Sequence, residues 1–539
     1  MRLQISNIKL SIKHSESDLY AAVSKKLRVN PKDIKDISIR HKSIDARRKP
    51  DVFFIYSVEA DVREGNRILN NKRITDVTKS QPKEYVLPIQ RTYTGRPIIV
   101  GAGPAGLFCA YVLILAGLSP IIFERGKTVR ERKEDVEKFW QTGILDTQSN
   151  VQFGEGGAGT FSDGKLNTLV KDHKGRCRFV METFVKFGAP ANILYDAKPH
   201  VGTDILISVV ENMREYIAQN GGEFHFESQV TDFLSHNGHI SGVVVNDTDE
   251  YYSDRVVLAV GHSARDTFNM LDLRDVDMSA KAFAVGLRIE HPRKFINYSQ
   301  YGYEELKELG SAPYKLTYKA DNGRGVYSFC MCPGGYVVNA SSEEKMIAVN
   351  GMSYSGRNGN NSNTAIVVTV NPQDFGDESK LSGMHFQRKL EAKAFDLGAG
   401  AVPVQRFGDF AKACLVNGKI DDQVNCTMLS DRYPEYKPCI KGAYKEADLH
   451  TLFNNDINLS IIQGMNSFGR SISDYNAYDA FLSGVESRTS SPVRIWRDDY
   501  GVSTSLAGLY PCGEGAGYAG GITSAGMDGI YIAEQIIVS

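Results

Sequence analysis

The sequence lacks the cysteine and apolar patterns that mark exported, disulfide-bonded or zinc-binding proteins. Eight cysteines are scattered over 539 residues at irregular spacing, and no two of them form a Cys-x-x-Cys pair. This excludes a disulfide framework and a paired-thiolate site, so we predict that no metal is bound. Arg2 and Lys9 interrupt the first residues, where a secretory signal needs a continuous apolar stretch. We therefore expect a reducing, cytoplasmic location.

An excess of charge of one sign and a long apolar run are also missing. The net charge is −1, so nothing in the composition draws the whole chain to nucleic acid or to membrane. The most apolar stretch, residues 98–123, is broken by Pro104, Pro120 and several glycines, and no cluster of lysine or arginine flanks it. We predict no membrane span.

Positive charge is concentrated in residues 1–90, which hold 19 lysines and arginines against 11 aspartates and glutamates. Strand-like and helix-like segments alternate there, which predicts a separate, small α+β domain of ferredoxin-like order. A basic run at residues 40–49 includes Arg40, Lys42 and Arg47. A solvated loop is the simpler explanation of such a run, but binding to a phosphate-bearing partner such as RNA stays open.

Residues 97–125 carry the clearest chemical signal. An apolar strand is followed by a Gly-x-Gly-x-x-Gly turn at Gly101, Gly103 and Gly106, then by a helix and a second apolar strand that ends at Glu124. In a dinucleotide-binding fold the glycines allow the tight turn, the approach of the pyrophosphate and the close packing of helix on strand, while the acid binds ribose hydroxyls. The motif alone is weak evidence, but its flanking strands and acid favour a dinucleotide site.

A second glycine-rich stretch spans residues 153–165. Gly156, Gly157, Gly159 and Thr160 lie close together in it with few large side chains between them. Such a backbone can run flat against a planar ligand and direct its N–H groups at it. A merely flexible loop is the alternative. The polar side chains within the stretch favour a cofactor or substrate site.

The C-terminal residues again show a strand, an acid and a helix. A short apolar strand leads to Gly513 and Glu514, and the glycine-rich residues 520–526 precede a helix that reaches Ile537. An acid at a strand end can bind hydroxyl groups, and a helix N-terminus offers N–H groups and a positive dipole to an electron-rich ring. The two distant glycine-rich turns are therefore predicted to build one site.

Residues 281–480 read as long strands with two helices, which indicates a sheet-centred domain inserted into the first. The predicted fold is α/β: a Rossmann-like cofactor-binding domain, an interleaved sheet-rich α+β substrate domain and the small N-terminal α+β domain. The predicted boundaries are 1–90 for the N-terminal domain, 91–280 and 481–539 for the cofactor-binding domain, and 281–480 for the substrate domain. A linker is expected at residues 82–95.

The chain resembles a family of uncharacterised FAD-dependent dehydrogenases in the glutathione-reductase-like superfamily of two-domain flavoproteins. The likeness covers nearly the whole chain and rests on motifs at residues 154–166, 285–292, 329–336, 486–494 and 510–529. It implies an FAD cofactor. It also implies an FAD-dependent oxidoreductase whose small-molecule substrate lies between the two larger domains.

The resemblance assigns the first turn to the pyrophosphate, the acid and arginine after the second strand to the ribose, Val230 to the adenine, and the C-terminal turn to the ribityl chain and flavin ring. With the basic run 125–132 and the second glycine-rich stretch, the predicted cofactor-binding residues are Gly101, Gly103, Pro104, Ala105, Gly106, Glu124, Arg125, Arg132, Gly156, Gly157, Gly159, Thr160, Val230, Gly261, Gly513, Glu514, Gly521, Ile522, Thr523 and Ser524. Related flavoproteins usually have Gly-Asp where this chain has Gly-Glu, so the longer acid is expected to bind through water.

No second dinucleotide fingerprint follows the first. Gly398-Ala399-Gly400 lacks the third glycine and a preceding strand. A dedicated NAD(P)H domain is therefore not expected, and NAD(P)H or another electron donor is expected to dock transiently. The sequence has no Cys-x-x-Cys for a dithiol relay.

Four residues are candidates for chemistry on the substrate: Lys165, Arg288, His291 and Cys332. Lys165 could bind an acidic substrate or the flavin edge, or lie on the surface. Arg288 shares a strand face with Glu290, so a pair that supports the sheet is as plausible as a substrate role. Cys330 and Cys332 would have Cα atoms about 6.5–7 Å apart on a strand, at the outer limit for a disulfide, which favours structural thiols over a redox pair.

Two alternatives to a small-molecule oxidoreductase stay open. One is a flavoprotein that acts on RNA through its basic N-terminal domain, and the other is a non-catalytic FAD-binding scaffold. Salt-dependent RNA binding would favour the first. Photoreduction of the flavin without turnover of any substrate would favour the second.

Overall fold

The structure is a computed structural model that describes residues 1–81, 83–88, 93–414 and 424–539. The predicted boundary at residue 90 and part of the predicted linker 82–95 lie outside these ranges. Over the described residues, no helix combines the length and the apolar character needed to cross a bilayer. The same residues contain no cluster of histidine, cysteine and acidic side chains suited to a metal ion.

The N-terminal domain, residues 1–81, alternates strands and helices. Its elements are β1 (Arg2–Ser11), α1 (Glu16–Leu27), β2 (Ile34–Arg48), β3 (Asp51–Val62), α2 (Gly65–Leu69) and β4 (Val77–Lys79). The strands form one antiparallel sheet in the order β2-β3-β1-β4, which is the ferredoxin-like order that the sequence predicts. Alternate residues of β3, among them Phe54 and Tyr56, are buried in the core of this domain.

The basic run of this domain is largely engaged within the chain. The guanidinium of Arg40 pairs with Glu59 at 2.7 Å, and that of Arg47 pairs with Asp45 at 2.7 Å. The ammonium group of Lys42 lies 4.3 Å from the centre of a phenylalanine ring. These contacts reduce the number of free cations on the strands, while binding of the domain to nucleic acid stays a prediction.

The hairpin of β2 and β3 contacts both of the larger parts of the molecule. The N–H of Lys42 donates to the carbonyl oxygen of Tyr195 at 2.7 Å, and the N–H of Ala197 donates back to Lys42 at 2.8 Å. At the tip of the hairpin, the ammonium of Lys49 donates to the carbonyl oxygen of Ser299. The N-terminal domain is thus fixed to the rest of the chain through this hairpin.

The second region alternates strands and helices up to residue 280. Its elements are β5 (Ile98–Val100), α3 (Pro104–Leu115), β6 (Ile121–Phe123), α4 (Val129–Thr142), α5 (Arg176–Lys186), α6 (Thr203–Gln219), β7 (Glu223–His225), β8 (Val230–His236), β9 (His239–Val245), β10 (Asp249–Tyr252), β11 (Val256–Leu258), α7 (Arg265–Leu273) and β12 (Met278–Ala280).

The third region is rich in strands, and the chain then returns to the second. Its elements are β13 (Phe283–Pro292), α8 (Arg293–Tyr301), β14 (Thr317–Lys319), β15 (Gly325–Cys332), β16 (Tyr336–Asn339), β17 (Val349–Met352), β18 (Asn361–Val370), α9 (Ser382–Gly398), β19 (Val402–Arg406), α10 (Phe407–Cys414), α11 (Leu429–Arg432), β20 (Ile440–Lys441), β21 (Tyr444–Glu446), α12 (Asn455–Ser471) and β22 (Phe481–Glu486). The returning elements are β23 (Val493–Ile495), β24 (Leu509–Pro511) and α13 (Ile522–Val538).

Residues 98–280 and 493–538 build the parallel-sheet domain. Its five-stranded sheet has the order β24-β11-β5-β6-β7, with every neighbouring pair parallel. The strands β5, β6, β11 and β24 are short and buried throughout, as expected for a sheet covered on both faces. Helices α3, α5, α6 and α13 share one apolar core against this sheet. The C-terminal strand β24 is thus separated by one strand, β11, from β5, which precedes the first glycine turn.

The seven-stranded domain, residues 283–486, is built on a sheet of order β14-β15-β18-β13-β22-β19-β21. Neighbours in it are antiparallel except for the last pair. Because β22 belongs to this sheet, the domain extends past the end predicted at residue 480. The strands between residues 221 and 261 are divided between two sheets: β8, β9 and β10 form an antiparallel sheet, whereas β7 and β11 join the parallel one.

Candidate functional site

A cavity of about 500 Å³ runs along the edge where the parallel strands end. This volume is in the usual range for cofactor and small-molecule sites. Residues shortly after β5, β6, β11 and β24 line it, as expected for ligand binding at the carboxyl ends of strands in an open α/β sheet. The predicted cofactor residues that line it are Gly101, Gly103, Pro104, Ala105, Glu124, Arg125, Gly157, Gly159, Val230, Gly261, Glu514, Gly521 and Ile522.

The first turn has the geometry that its motif predicts. Gly101 has a φ of +103°, and a Cβ there would lie 2.5 Å from the carbonyl oxygen of Ala259. A Cβ on Gly106 would collide with the carbonyl oxygen of Gly101, so Gly106 serves the packing of α3 on β5 and does not line the cavity. Gly103 is the N-cap of α3 and faces Gly157 across a gap that any larger side chain would narrow. The N–H groups at the start of α3 are thereby left open to an anion.

The carboxylate of Glu124 is buried at the end of β6 and holds three backbone segments together. One oxygen accepts from the N–H of Ala102 at 2.8 Å, and the other accepts from Gly126 and Gly154, each at 3.0 Å. Glu124 therefore fixes the first turn against the second glycine-rich stretch. It also lines the cavity, and its predicted bond to a ribose stays a prediction.

Arg125 lies beside this acid with its guanidinium 4.3 Å from the centre of the Phe153 ring. Its side chain also forms an ion pair with Asp266 on α7. Val230, at the start of β8, lines the same part of the cavity. These residues form the end of the cavity that suits a flat ring such as adenine.

Arg132 is a correction to the predicted site. Its side chain is fully buried, and every hydrogen bond it makes goes to a backbone carbonyl of residues 150–157, at 2.7–3.2 Å. Burial lowers the pKa of Arg132 to about 10. It does not line the cavity, so it holds the glycine-rich stretch in shape from behind and is not placed to bind a phosphate there.

Two residues of that stretch also face away from the cavity. A Cβ on Gly156 would collide with the hydroxyl of Thr160, and both residues border a small apolar void of about 20 Å³ beneath the loop. The hydroxyl of Thr160 is buried and has no partner within the described parts of the chain. Gly157 and Gly159 are the members of the stretch that line the cavity.

The C-terminal turn is divided in the same way. Glu514, Gly521 and Ile522 line the cavity, and α13 begins at Ile522. The other predicted residues hold the turn. The N–H of Gly513 donates to the side chain of Asp528 at 2.7 Å. The hydroxyl of Thr523 donates to the carbonyl oxygen of Leu166 at 2.8 Å, and that of Ser524 donates to the carbonyl oxygen of Gly521 at 3.0 Å.

A buried polar network beside the cavity was not among the predicted site residues. Ser263 donates to Gln152 at 3.0 Å and accepts from Arg488 at 3.1 Å. Arg488 and Arg265 both pair with Glu391, which is fully buried. Ser263 and Arg265 lie in the segment that follows β11, and Arg488 lies in the loop after β22. For Ser263 and Arg265 this position was the available signal, since residues that follow the parallel strands meet at this edge.

The far end of the cavity is formed by two domains. From the seven-stranded domain and the loop that follows it come Lys315, Phe329, Cys330, Asn350, Glu486, Arg488 and Thr489; from the parallel-sheet domain come Asp163, Lys165 and Asn167. The ammonium group of Lys165 donates to the carbonyl oxygen of Met331 and lies 3.6 Å from Asp163. Lys165 is therefore placed in the cavity, at the boundary of the two domains.

Arg288 is wholly buried behind this wall and does not line the cavity. Its guanidinium pairs with Glu486 at 3.0 Å and donates to the side chain of Asn363 at 2.7 Å. Glu290, the partner expected from their shared strand face, instead accepts from Asn361 and from the N–H of Cys439, both at 2.9 Å. Arg288 thus supports the wall through Glu486, which corrects its predicted contact with a substrate.

His291 is a further correction, because it is fully buried away from the cavity. Its Nε2 lies 2.7 Å from the carbonyl oxygen of Tyr475, and its ring stacks on Phe295. Burial lowers the pKa of His291 to about 4. The side chain is a neutral part of the core and has no path to a substrate.

Cys332, a predicted candidate for chemistry, does not line the cavity, whereas Cys330 of the same Cys-x-Cys motif does. The pairing of β15 with β18 is irregular between Phe329 and Cys332, and Cys330 there has a φ of +44°. This irregularity turns Cys330 toward the cavity, whereas Cys332 is buried and its thiol donates to the carbonyl oxygen of Cys330 at 3.2 Å. Both thiols are free, and burial raises the pKa of Cys332 to about 12.

Comparison with known proteins places the chain among flavoproteins. Residues 282–489 match the sequence profile of the family described as "FAD-dependent protein, C-terminal domain-like", and residues 2–61 match a domain of unknown function (DUF8436). An uncharacterized protein of Clostridium beijerinckii is 45% identical over 543 residues, which cover 100% of this chain and 99% of that protein.

Solved structures match more distantly. CtdE in complex with FAD aligns over 78% of this chain and 77% of its own, at 13% identity and a TM-score of 0.29. FqzB aligns over 80% of this chain and 72% of its own, at 14% identity and a TM-score of 0.30.

The fold, the cavity and the family match together define a flavoprotein, and its cofactor is FAD. The residues present fit this group, because the small side chains at Gly103 and Gly157 leave a cradle in front of the N-terminus of α3. The chain belongs to the same family as the Clostridium beijerinckii protein.

Proposed function

We propose that the protein is an FAD-dependent oxidoreductase that acts on a small molecule bound at the far end of the cavity. The observation that carries this proposal is the continuity of the cavity: glycine-rich turns line one end, and charged and polar side chains of a different domain line the other. A scaffold that only stored FAD would not need that second wall. Ligand sites between domains are typical of enzymes.

The described residues suggest how the cofactor is held. The N-terminus of α3 and the glycines before it suit the pyrophosphate, and Arg125 with Phe153 borders the place for the adenosine. The N-terminus of α13, at Ile522, suits the electron-rich edge of the flavin ring. Bound FAD supplies hydride or electron transfer, while the chain orients the substrate and excludes water.

The electron donor is proposed to dock transiently. The sequence has no second dinucleotide fingerprint, and the far wall of the cavity is the part left for both donor and substrate. NAD(P)H is the donor class we propose to test first. Alternating use of one site by donor and substrate would then be expected.

Anaerobic reduction of the purified flavoprotein tests the proposal. NADPH, NADH and dithionite are added in separate samples, and the loss of the oxidised-flavin absorption is followed before a panel of small oxidants is added. We expect reduction by a nicotinamide and reoxidation by at least one member of the panel. A flavin that is reduced by dithionite and by light, but that no donor or substrate turns over, would support the scaffold and contradict an enzyme.

A further inference from the structure

Cations outnumber carboxylates at the far end of the cavity, and this excess is the basis of the inference. Lys315 and Lys165 both line the cavity. The carboxylate beside them, Asp163, is buried and already bonded to Ser353 and Arg357. The other acidic group of this wall, Glu486, is committed to a buried arginine behind it. Asp163 also lies 3.6 Å from the ammonium group of Lys165, so Lys165 and Arg357 share this one carboxylate, and no carboxylate of the described wall is left for Lys315.

The two lysines lie next to the same short segment of β15. Leu316 and Ser328 exchange hydrogen bonds at 2.8 and 2.9 Å, which places Lys315 beside Phe329 at the edge of the sheet. Lys165 reaches the same segment from the parallel-sheet domain, through its bond to the carbonyl oxygen of Met331. Both lysines and Phe329 therefore belong to the same part of the cavity wall.

A third lysine lies just outside this wall. Asn167, which lines the cavity, donates to the carbonyl oxygen of Ala197 at 2.9 Å, and Lys198 follows. Burial, together with the charges of Lys165 and Arg357, lowers the pKa of Lys198. Within the described ranges, the side chains of Lys198 and Lys315 have no ion-pair or hydrogen-bond partner. A further lysine without a carboxylate partner thus lies next to the wall.

We propose that this end of the cavity is an anion subsite, in which Lys315 and Lys165 bind an acidic group of the molecule that exchanges electrons with FAD, while Phe329 contacts its apolar part. The inference rests on the proposed function and names its ligand class. The acidic group is the carboxylate of a small substrate or a phosphate of a nicotinamide dinucleotide. Both sources share the same chemistry, and the experiment separates them.

Calorimetric titration of the FAD-loaded, full-length protein tests the subsite. The probes are benzoate for a small carboxylate, NADP⁺ for a dinucleotide phosphate, and benzyl alcohol as the neutral counterpart of benzoate. We expect one of the two anions to bind and benzyl alcohol not to bind. Binding of benzoate indicates a carboxylate substrate, and binding of NADP⁺ indicates the dinucleotide. Added salt should weaken the binding of either anion.

Three variants assign the binding to the proposed residues. Lys315→Met and Lys165→Met should each lower the affinity for the anion that binds by about tenfold, because each removes one charged hydrogen bond. Lys319→Met, an exposed lysine on β14 outside the cavity, should leave the affinity unchanged. Absence of binding by both anions, or binding that is indifferent to Lys315 and Lys165, would overturn the subsite.

The flavin content of each sample separates this inference from the function on which it rests. A protein that holds FAD and is reduced by a donor, but shows no anion dependence, would refute only the subsite. A protein that never holds or reduces FAD would refute the oxidoreductase itself. Lys315 is exposed, and Lys165 contacts the core only through its ammonium group, so each variant is expected to retain its flavin, which its absorption spectrum measures directly.

Discussion

Glu391 and Arg488 form a buried ion pair with two contacts: Nε of Arg488 lies 3.0 Å from one carboxylate oxygen, and Nη2 lies 2.7 Å from the other. Arg265 pairs with the same carboxylate at 2.7 and 2.9 Å. Arg488 also donates to Ser263, just after the end of β11. One carboxylate on α9 therefore ties the seven-stranded domain to the edge of the parallel sheet that forms the cavity.

Replacing this carboxylate should strongly destabilise the protein. In Glu391→Gln two buried guanidinium groups lose their shared counter-charge, and breaking a buried pair in this way typically costs about 3–5 kcal/mol. We expect a loss of that size in the free energy of unfolding, measured by urea titration with FAD present. Glu344→Gln, which changes an exposed neighbour of the network, should have a negligible effect.

The same ion pair predicts a dependence on pH. Burial alone would raise the pKa of Glu391, but the two guanidinium groups reverse this and hold it well below its ordinary value. A carboxyl whose pKa is lowered by folding contributes stability above its unfolded pKa, about 4.3, and loses it as the pH falls toward the folded value. The difference in stability between the wild type and Glu391→Gln should therefore shrink below about pH 4. A difference that stays constant down to about pH 3 would contradict this assignment.

The fold elements that local pattern determines could be predicted from the sequence. The turn at Gly101 needs a positive φ and a close packing contact, which only glycine meets, so its motif identifies the strand and helix around it. The ferredoxin-like order of the N-terminal domain likewise follows from alternating short elements. The return of the chain through Gly513 and Glu514 was recognisable because strand ends in such a sheet share one edge.

Residue roles that depend on contacts distant in sequence could not be predicted. Arg132 looked like a ligand for phosphate, but its donors are used by carbonyl groups about twenty residues away. Cys330 and Cys332 seemed to share a strand face, but an irregularity in strand pairing separates them. Arg288 pairs with Glu486 on β22, about two hundred residues away in the sequence, and not with Glu290, which lies two residues along its own strand.

Glu290 should destabilise the folded protein at neutral and higher pH. Burial raises its pKa to about 7, and one of its oxygens has no partner within the described residues. A carboxyl whose pKa is raised by folding contributes stability below its unfolded pKa and loses it as the pH rises through the folded value. Between about pH 4.5 and pH 7.5 the wild type should lose on the order of 3 kcal/mol that Glu290→Gln keeps.

Urea unfolding of both proteins at these two pH values measures the effect. The amide oxygen that Glu290→Gln introduces can still accept from Asn361 and from the N–H of Cys439, so the variant should fold. Glu435→Gln, which changes an exposed acid nearby, serves as the control and should follow the wild type. If the stabilities of Glu290→Gln and the wild type change with pH in parallel, folding does not raise the pKa of Glu290, and its carboxyl is charged in the folded protein over this range.

Filling the cradle of the first turn should abolish FAD binding. In Gly103→Trp the indole enters the space between Gly103 and Gly157, where the pyrophosphate is expected. We expect a soluble, colourless protein with circular dichroism like that of the wild type. Leu169→Trp adds the same ring at an exposed position outside the cavity and should stay yellow. A yellow Gly103→Trp protein would place the cofactor elsewhere.

FAD should protect Cys330, and only Cys330, from alkylation. Its thiol lines the cavity, whereas that of Cys332 is buried beneath it. Burial raises the pKa of both thiols, so labelling with iodoacetamide is best done at about pH 9, where more thiolate is present. Mass spectrometry should show Cys330 labelled in the FAD-free protein and several-fold less labelled after FAD is added. The exposed Cys426 should be labelled equally in both samples, which shows that both received the same amount of reagent. Because the irregular pairing of β15 decides which thiol faces the cofactor, preferential labelling of Cys332 would show that the strand is regular there and that the wall of the cavity is formed differently.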